Sequence, residues 1–132
     1  MDGKDGIKVL LVGESPREFF ASRQLFEWNG CECQFSKSGW EVAELLKSQE
    51  FDIVLSGHKI VHETNHQLAA LLLGSRASLF YSLPVGNGFK WITVLRFGKG
   101  VSGTPALTAA ELIYELHRLM QQIKADVTVI SP

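Results

Sequence analysis

The chain has 132 residues, 45% apolar and 20% charged, with a formal net charge of -1. That length suits one domain (1–132) around a single core, and that composition excludes a disordered tail. There is no basic excess to grip a phosphate backbone, so nucleic-acid binding is not expected. No apolar run approaches the roughly 20 residues of a membrane span.

Residues 1–6 are polar and glycine-rich, a flexible lead-in rather than a signal peptide, because the apolar run after them stops at Gly13-Glu14. Residues 7–12 read as the first strand. Ser15-Pro16-Arg17-Glu18 is a helix start with three agreeing signals: Ser as N-cap, Pro at the first helical position, Glu at the third. That helix is expected to reach about Trp28 and to stop at Asn29-Gly30. Phe19, Phe20, Leu25, Phe26 and Trp28 supply its apolar side.

Residues 31–35 alternate and predict a second strand. It holds the only cysteines, Cys31 and Cys33. Bridging two cysteines at this spacing would strain the backbone, so a reduced, cytoplasmic protein is expected. Ser38-Gly39-Trp40-Glu41 repeats the capping box, and Val42, Leu45 and Leu46 recur at helical spacing toward Gln49. Ile53-Val54-Leu55, between Asp52 and Gly57, predicts a short strand buried on both faces. The first half thus reads β-α-β-α-β, which implies parallel strands with right-handed crossovers.

Thr64-Asn65-His66-Gln67 is a further capping box, predicting a third helix that carries Leu68, Leu71 and Leu72 and ends at Gly74. Residues 77–85 and 90–97 predict two more strands around Gly86-Asn87-Gly88. So short a link cannot cross over to a parallel strand, which needs about a dozen residues or more; an antiparallel hairpin at the sheet edge is expected. Residues 98–105 read as a loop. Thr108-Ala109-Ala110-Glu111 caps a final helix striped by Leu112, Ile113, Leu116, Leu119, Met120 and Ile123. Residues 125–132 are expected to be a flexible tail.

His62-Glu63-Thr64-Asn65-His66 matches the zinc-hydrolase pattern His-Glu-x-x-His, with His58 one step further back. A metal site at His58, His62 and His66, with Glu63 as base, is the enzymatic alternative. Against it, an N-cap at Thr64 would leave His62 outside the helix, and the bland reading is a polar loop. Gly98-Lys99-Gly100-Val101-Ser102-Gly103 matches Gly-x-Gly-x-x-Gly, but Thr104-Pro105-Ala106 delays the next helix, so the glycines are expected to serve a turn rather than a dinucleotide. Trp91, Phe89 and Phe97 make the hairpin aromatic. Core packing is their default, and an outward-facing subset would be a partner or homodimer surface.

The run Val9-Leu10-Leu11-Val12, the capped helix after it, and Glu44-Leu45-Leu46 followed by Phe51-Asp52-Ile53-Val54-Leu55 resemble the receiver domain of bacterial response regulators. The likeness covers residues 7–58, and a strand ending in Tyr81-Ser82 and a long last helix follow in the right order. It implies an α/β, flavodoxin-like open sheet in the order 2-1-3-4-5, with the fourth helix replaced by the hairpin. In that family an acidic pair after the first strand binds magnesium. An Asp ending the third strand takes the phosphate. A Ser or Thr after the fourth strand and a Lys after the fifth complete the site. Here the acidic pair falls on Gly13-Glu14, the acceptor on Gly57, the hydroxyl on Ser82, and the Lys near Arg96. Phosphoryl transfer to an acyl acceptor needs a carboxylate and a divalent ion. The resemblance therefore implies a degenerate receiver of two-component signalling. It would be no enzyme, hold no cofactor and dock a protein partner independently of phosphorylation. The crevice of Gly13, Glu14, Gly57, His58, Ser82 and Arg96 would be a relic or a small-ligand site.

Overall fold

The computed structural model describes residues 6–37, 39–57 and 62–130. Four strands open the sheet: β1 (Lys8–Val12), β2 (Glu32–Ser36), β3 (Ile53–Ser56) and β4 (Ser78–Val85). A hairpin leads to β5 (Gly88–Arg96), and a short β6 (Lys99–Gly100) follows. The helices are α1 (Phe20–Trp28), α2 (Gly39–Ser48), α3 (His62–Leu72) and α4 (Ala109–Ile130). The sheet order is β2-β1-β3-β4-β5-β6; β1 to β4 are parallel, and β5 and β6 run antiparallel to their neighbours. The expected order of the first five strands is present, with one strand added.

Ile53, Val54, Leu55 and Ser56 are all buried, because β3 has a strand on either side and helices over both faces. On one face Val9, Leu11, Ile53, Leu55 and Phe80 meet α1 and α4 through Phe26, Leu112, Leu116 and Met120. On the other, Leu10, Val12, Val54 and Leu79 meet α2 and α3 through Val42, Leu68 and Leu72. Each large buried side chain contributes roughly 1.5–3 kcal/mol. The two clusters together hold the strand ends in register, and so position the crevice above them.

Four expectations are corrected. The first helix opens as a 3-10 turn, Pro16–Phe19, and buries Phe19 and Phe26 while Phe20 and Trp28 face solvent. Adjacent residues on a helix point about 100° apart, so one apolar stripe cannot hold both Phe19 and Phe20. α3 begins at His62, so Thr64 is no N-cap. Thr64 and Asn65 are buried inside the helix, where Ser56 Oγ donates to Asn65 Oδ1 at 2.7 Å and the Tyr81 hydroxyl donates to the Asn65 carbonyl. These tertiary bonds outweigh the capping preference. The loop at 98–105 contains β6, reached through a two-residue turn in which Phe97 and Gly98 both take positive φ (52° and 79°), the pattern of a type I′ turn. Finally, α4 continues through residues 125–130, since no Gly or Pro interrupts it before Pro132.

Candidate functional site

The carboxyl ends of β1, β3 and β4 form a crevice, the usual ligand position in open α/β sheets. After β1 the chain turns at Gly13, whose N–H donates to Ser36 O at 3.1 Å. After β3 it turns at Gly57, whose N–H donates to Val12 O at 2.8 Å. Between these two glycines stands Glu18. The Ser15 capping box delivers it there: Ser15 Oγ accepts from the Arg17 amide at 3.3 Å, and Glu18 Oε1 accepts from the Ser15 amide at 3.2 Å and the Glu14 amide at 2.7 Å.

The fit is close enough to explain both glycines. A Cβ on Gly57 would lie 2.5 Å from Glu18 Oε2, well inside contact distance. A Cβ on Gly13 would lie 2.7 Å from Glu18 Oε1 and 2.8 Å from Phe19 Cε2. The space at the end of β3 that a side chain on Gly57 would need is therefore taken by a carboxylate from the first helical turn.

Beside Glu18 opens a cavity of about 240 Å³, lined by Glu18, Gly57, Ser82, Phe89, Trp91 and Ala109. Ser82 pairs with Trp91 across the hairpin, which puts both on the α1/α4 face at the crevice end. Trp91 is buried and tilted against Phe19, with ring centroids 6.4 Å apart. Its backbone N–H and carbonyl both bond Leu107, at 2.7 and 2.8 Å, so the segment leading to α4 closes the sheet edge here. Ala109 then starts α4 above the same cavity. On the opposite face of β4, burial pushes the Tyr81 phenol up to about 12.

The expected pocket residues separate into two groups. Gly13, Glu14, Gly57 and Ser82 stand at the crevice. Arg96 does not: β5 runs antiparallel, so its C-terminal end lies beside the start of β4, where Arg96 pairs with Glu115. The hairpin reverses β5 and so carries the last strand's end away from the crevice. The expected aromatic surface divides in the same way. Trp91 belongs to the core. Phe89 is 50% exposed at the cavity mouth. Phe97 lies at the far end of the sheet, half-buried, its N–H donating to Ser78 Oγ at 3.0 Å.

His58 lies outside the described residues. His62 and His66 stand one turn apart in α3, with His66 exposed. Among the described residues no group of three or more His, Cys, Asp or Glu is placed to hold a metal ion. No described helix is long and apolar enough to cross a membrane. Both cysteines are free thiols. Burial is the main cause that raises each, pushing Cys33 up to about 11.

Sequence reasoning missed Glu18 and Ala109 as crevice residues. A usable signal was present. Two strands end in glycine, which leaves a vacancy, and a capping Glu five residues past the first of them is long enough to reach it. Searches against protein-family models, curated proteins and solved structures find no match to this chain.

Proposed function

We propose that the chain is a receiver-like, flavodoxin-like signalling module that docks a protein partner without being phosphorylated. The observation that carries this reading is Gly57 at the end of β3, with the Glu18 carboxylate in the space a side chain there would need. A phospho-acceptor must present a carboxylate to the phosphoryl donor and to a divalent ion. Glu18 instead turns one oxygen onto two backbone amides and the other toward Gly57. The crevice thus resembles a receiver site held permanently filled from within. On the partner side, the hairpin beyond Tyr81 leaves Leu83, Val85 and Phe89 substantially exposed, and these replace Trp91 and Phe97 as the apolar docking residues.

Incubation with acetyl phosphate and magnesium, followed by intact mass measurement, tests this directly. The expected result is an unchanged mass; a stable added phosphoryl group contradicts the reading. A second, enzymatic reading gains from one observation: α3 starts at His62, so the two histidines of His-Glu-x-x-His share a helix at the i, i+4 spacing that zinc binding uses. Zinc analysis of untagged protein separates the two, since stoichiometric metal favours the second.

A further inference from the structure

The two edges of the sheet differ. β6 has two residues and is too short to template another strand. β2 runs for five, Glu32–Ser36, in unbroken register with β1, and among the described residues no strand pairs with its outer side. It carries no Pro, no Lys and no bulge, the usual means of blunting an edge.

The bonds β2 makes fix where its other backbone groups point. The Glu32 N–H donates to Ile7 O at 2.8 Å, and Ser36 O accepts from the Gly13 N–H at 3.1 Å. Backbone groups alternate sides along a strand, so Glu32, Gln34 and Ser36 turn theirs to β1, and Cys33 and Phe35 turn theirs outward. An antiparallel neighbour bonds through pairs of residues that exchange both N–H and C=O. β2 itself meets that requirement. With a two-fold axis through Gln34, perpendicular to the sheet, Cys33 of one copy lies opposite Phe35 of the other, and the reverse. Every outward backbone group is then paired, and the helix-covered faces of both copies stay aligned. Glu32 falls opposite Ser36, so no like charges are directly opposed.

Two side-chain observations favour the same occupant. Within the single chain Gln34 Oε1 is buried without a hydrogen-bond partner, which is uncommon in native proteins. Pairing about Gln34 brings a second carboxamide, with its own N–H donors, directly opposite. Trp28 and Trp40 are 90% and 77% exposed, and they stand four residues before Glu32 and four after Ser36. Apolar area for a second copy to cover therefore lies near both ends of this edge.

We infer that the chain forms a homodimer by antiparallel pairing of β2 with β2 of a second copy, about an axis at Gln34. This surface is separate from the crevice and the β4–β5 hairpin. It does not rest on the receiver reading; the mass experiment above can fail while this interface stands, and the reverse.

The test is sedimentation of the full chain over a concentration series up to its solubility limit, with two variants. The parent is expected to show a reversible monomer–dimer equilibrium. Cys33→Pro removes an outward N–H from each copy at an edge position that tolerates proline, and leaves the bonds to β1 whole. It is expected to weaken the dimer about tenfold or more. Gln34→Cys sets two thiols opposite each other in a closely spaced pair, within reach of a disulfide. Mild oxidation is expected to give a covalent dimer that peptide mapping joins at position 34, a readout that stands even where the proline variant fails to fold. A parent that stays monomeric at every concentration, a dimer that folded Cys33→Pro leaves unchanged, or a dimer with no disulfide at position 34 overturns the proposal.

Discussion

Glu18 does two jobs with one carboxylate. Its Oε1 closes the capping box at the start of the first helix, and its Oε2 faces Gly57 across the crevice. The two glycines it lies between differ in what a methyl group would meet. At Gly13 the methyl meets the ring of Phe19, which is 1% exposed and has nowhere to go, so Gly13→Ala is expected to cost about 1–3 kcal/mol of overpacking. At Gly57 it meets only the end of a flexible side chain, and Gly57→Ala is expected to cost less, about 1 kcal/mol, as Glu18 swings away and loses its amides. Urea denaturation of both variants checks the ranking. Cys33 offers a pH test. Burial raises its thiol from 9.0 to about 11, so the folded state holds the proton that an unfolded thiol releases. Its contribution to stability is therefore full below about pH 9 and fades as pH rises toward 11. Iodoacetamide at pH 9.5 should modify Cys33 far more slowly in the native chain than in urea; equal rates would show the thiol to be unperturbed.

Among the elements, those with a local chemical cause could be read from the sequence. The Ser15 and Thr108 capping boxes form as their residues imply, and Gly86 supplies the positive φ, 60°, that the β4–β5 hairpin turn needs. Elements set by distant contacts could not be read. α3 starts earlier than Thr64 because Ser56 and Tyr81, on two neighbouring strands, bond Asn65. β6 exists because the Phe97-Gly98 turn is locked against the end of α3, where Gly74 N–H donates to Gly98 O at 2.8 Å. Gly98 is the residue that permits this lock. A Cβ there would lie 1.8 Å from the Ser75 carbonyl oxygen, on a backbone already at positive φ. Gly98→Ala is expected to cost about 3 kcal/mol or more, because backbone rather than side chain would have to move. A thermal melt within a few degrees of the parent would contradict that lock.

Across the whole molecule, the fold class was legible because alternating buried strands and capped helices admit few arrangements. The crevice was half legible. Gly13, Glu14, Gly57 and Ser82 follow from strand ends alone, whereas Arg96 was misplaced through a topological consequence: a hairpin reverses the last strand and carries its end to the far side of the sheet. The same reversal brings Trp91 and Phe89 to the crevice and lets residues 98–107 return along β5 to start α4 beside Ser82. The hairpin and the cavity thus share one cause in the chain path.

The central claim is that Glu18 occupies the space at the end of β3, and a double-mutant cycle of Gly57→Asp and Glu18→Ala, followed by urea denaturation, addresses it most directly. Gly57→Asp alone sets two carboxylates in contact and is expected to cost about 2–4 kcal/mol. Removing Glu18 should relieve much of that, giving a coupling above about 1 kcal/mol. Additivity within about 0.5 kcal/mol would mean that the two positions do not share that space.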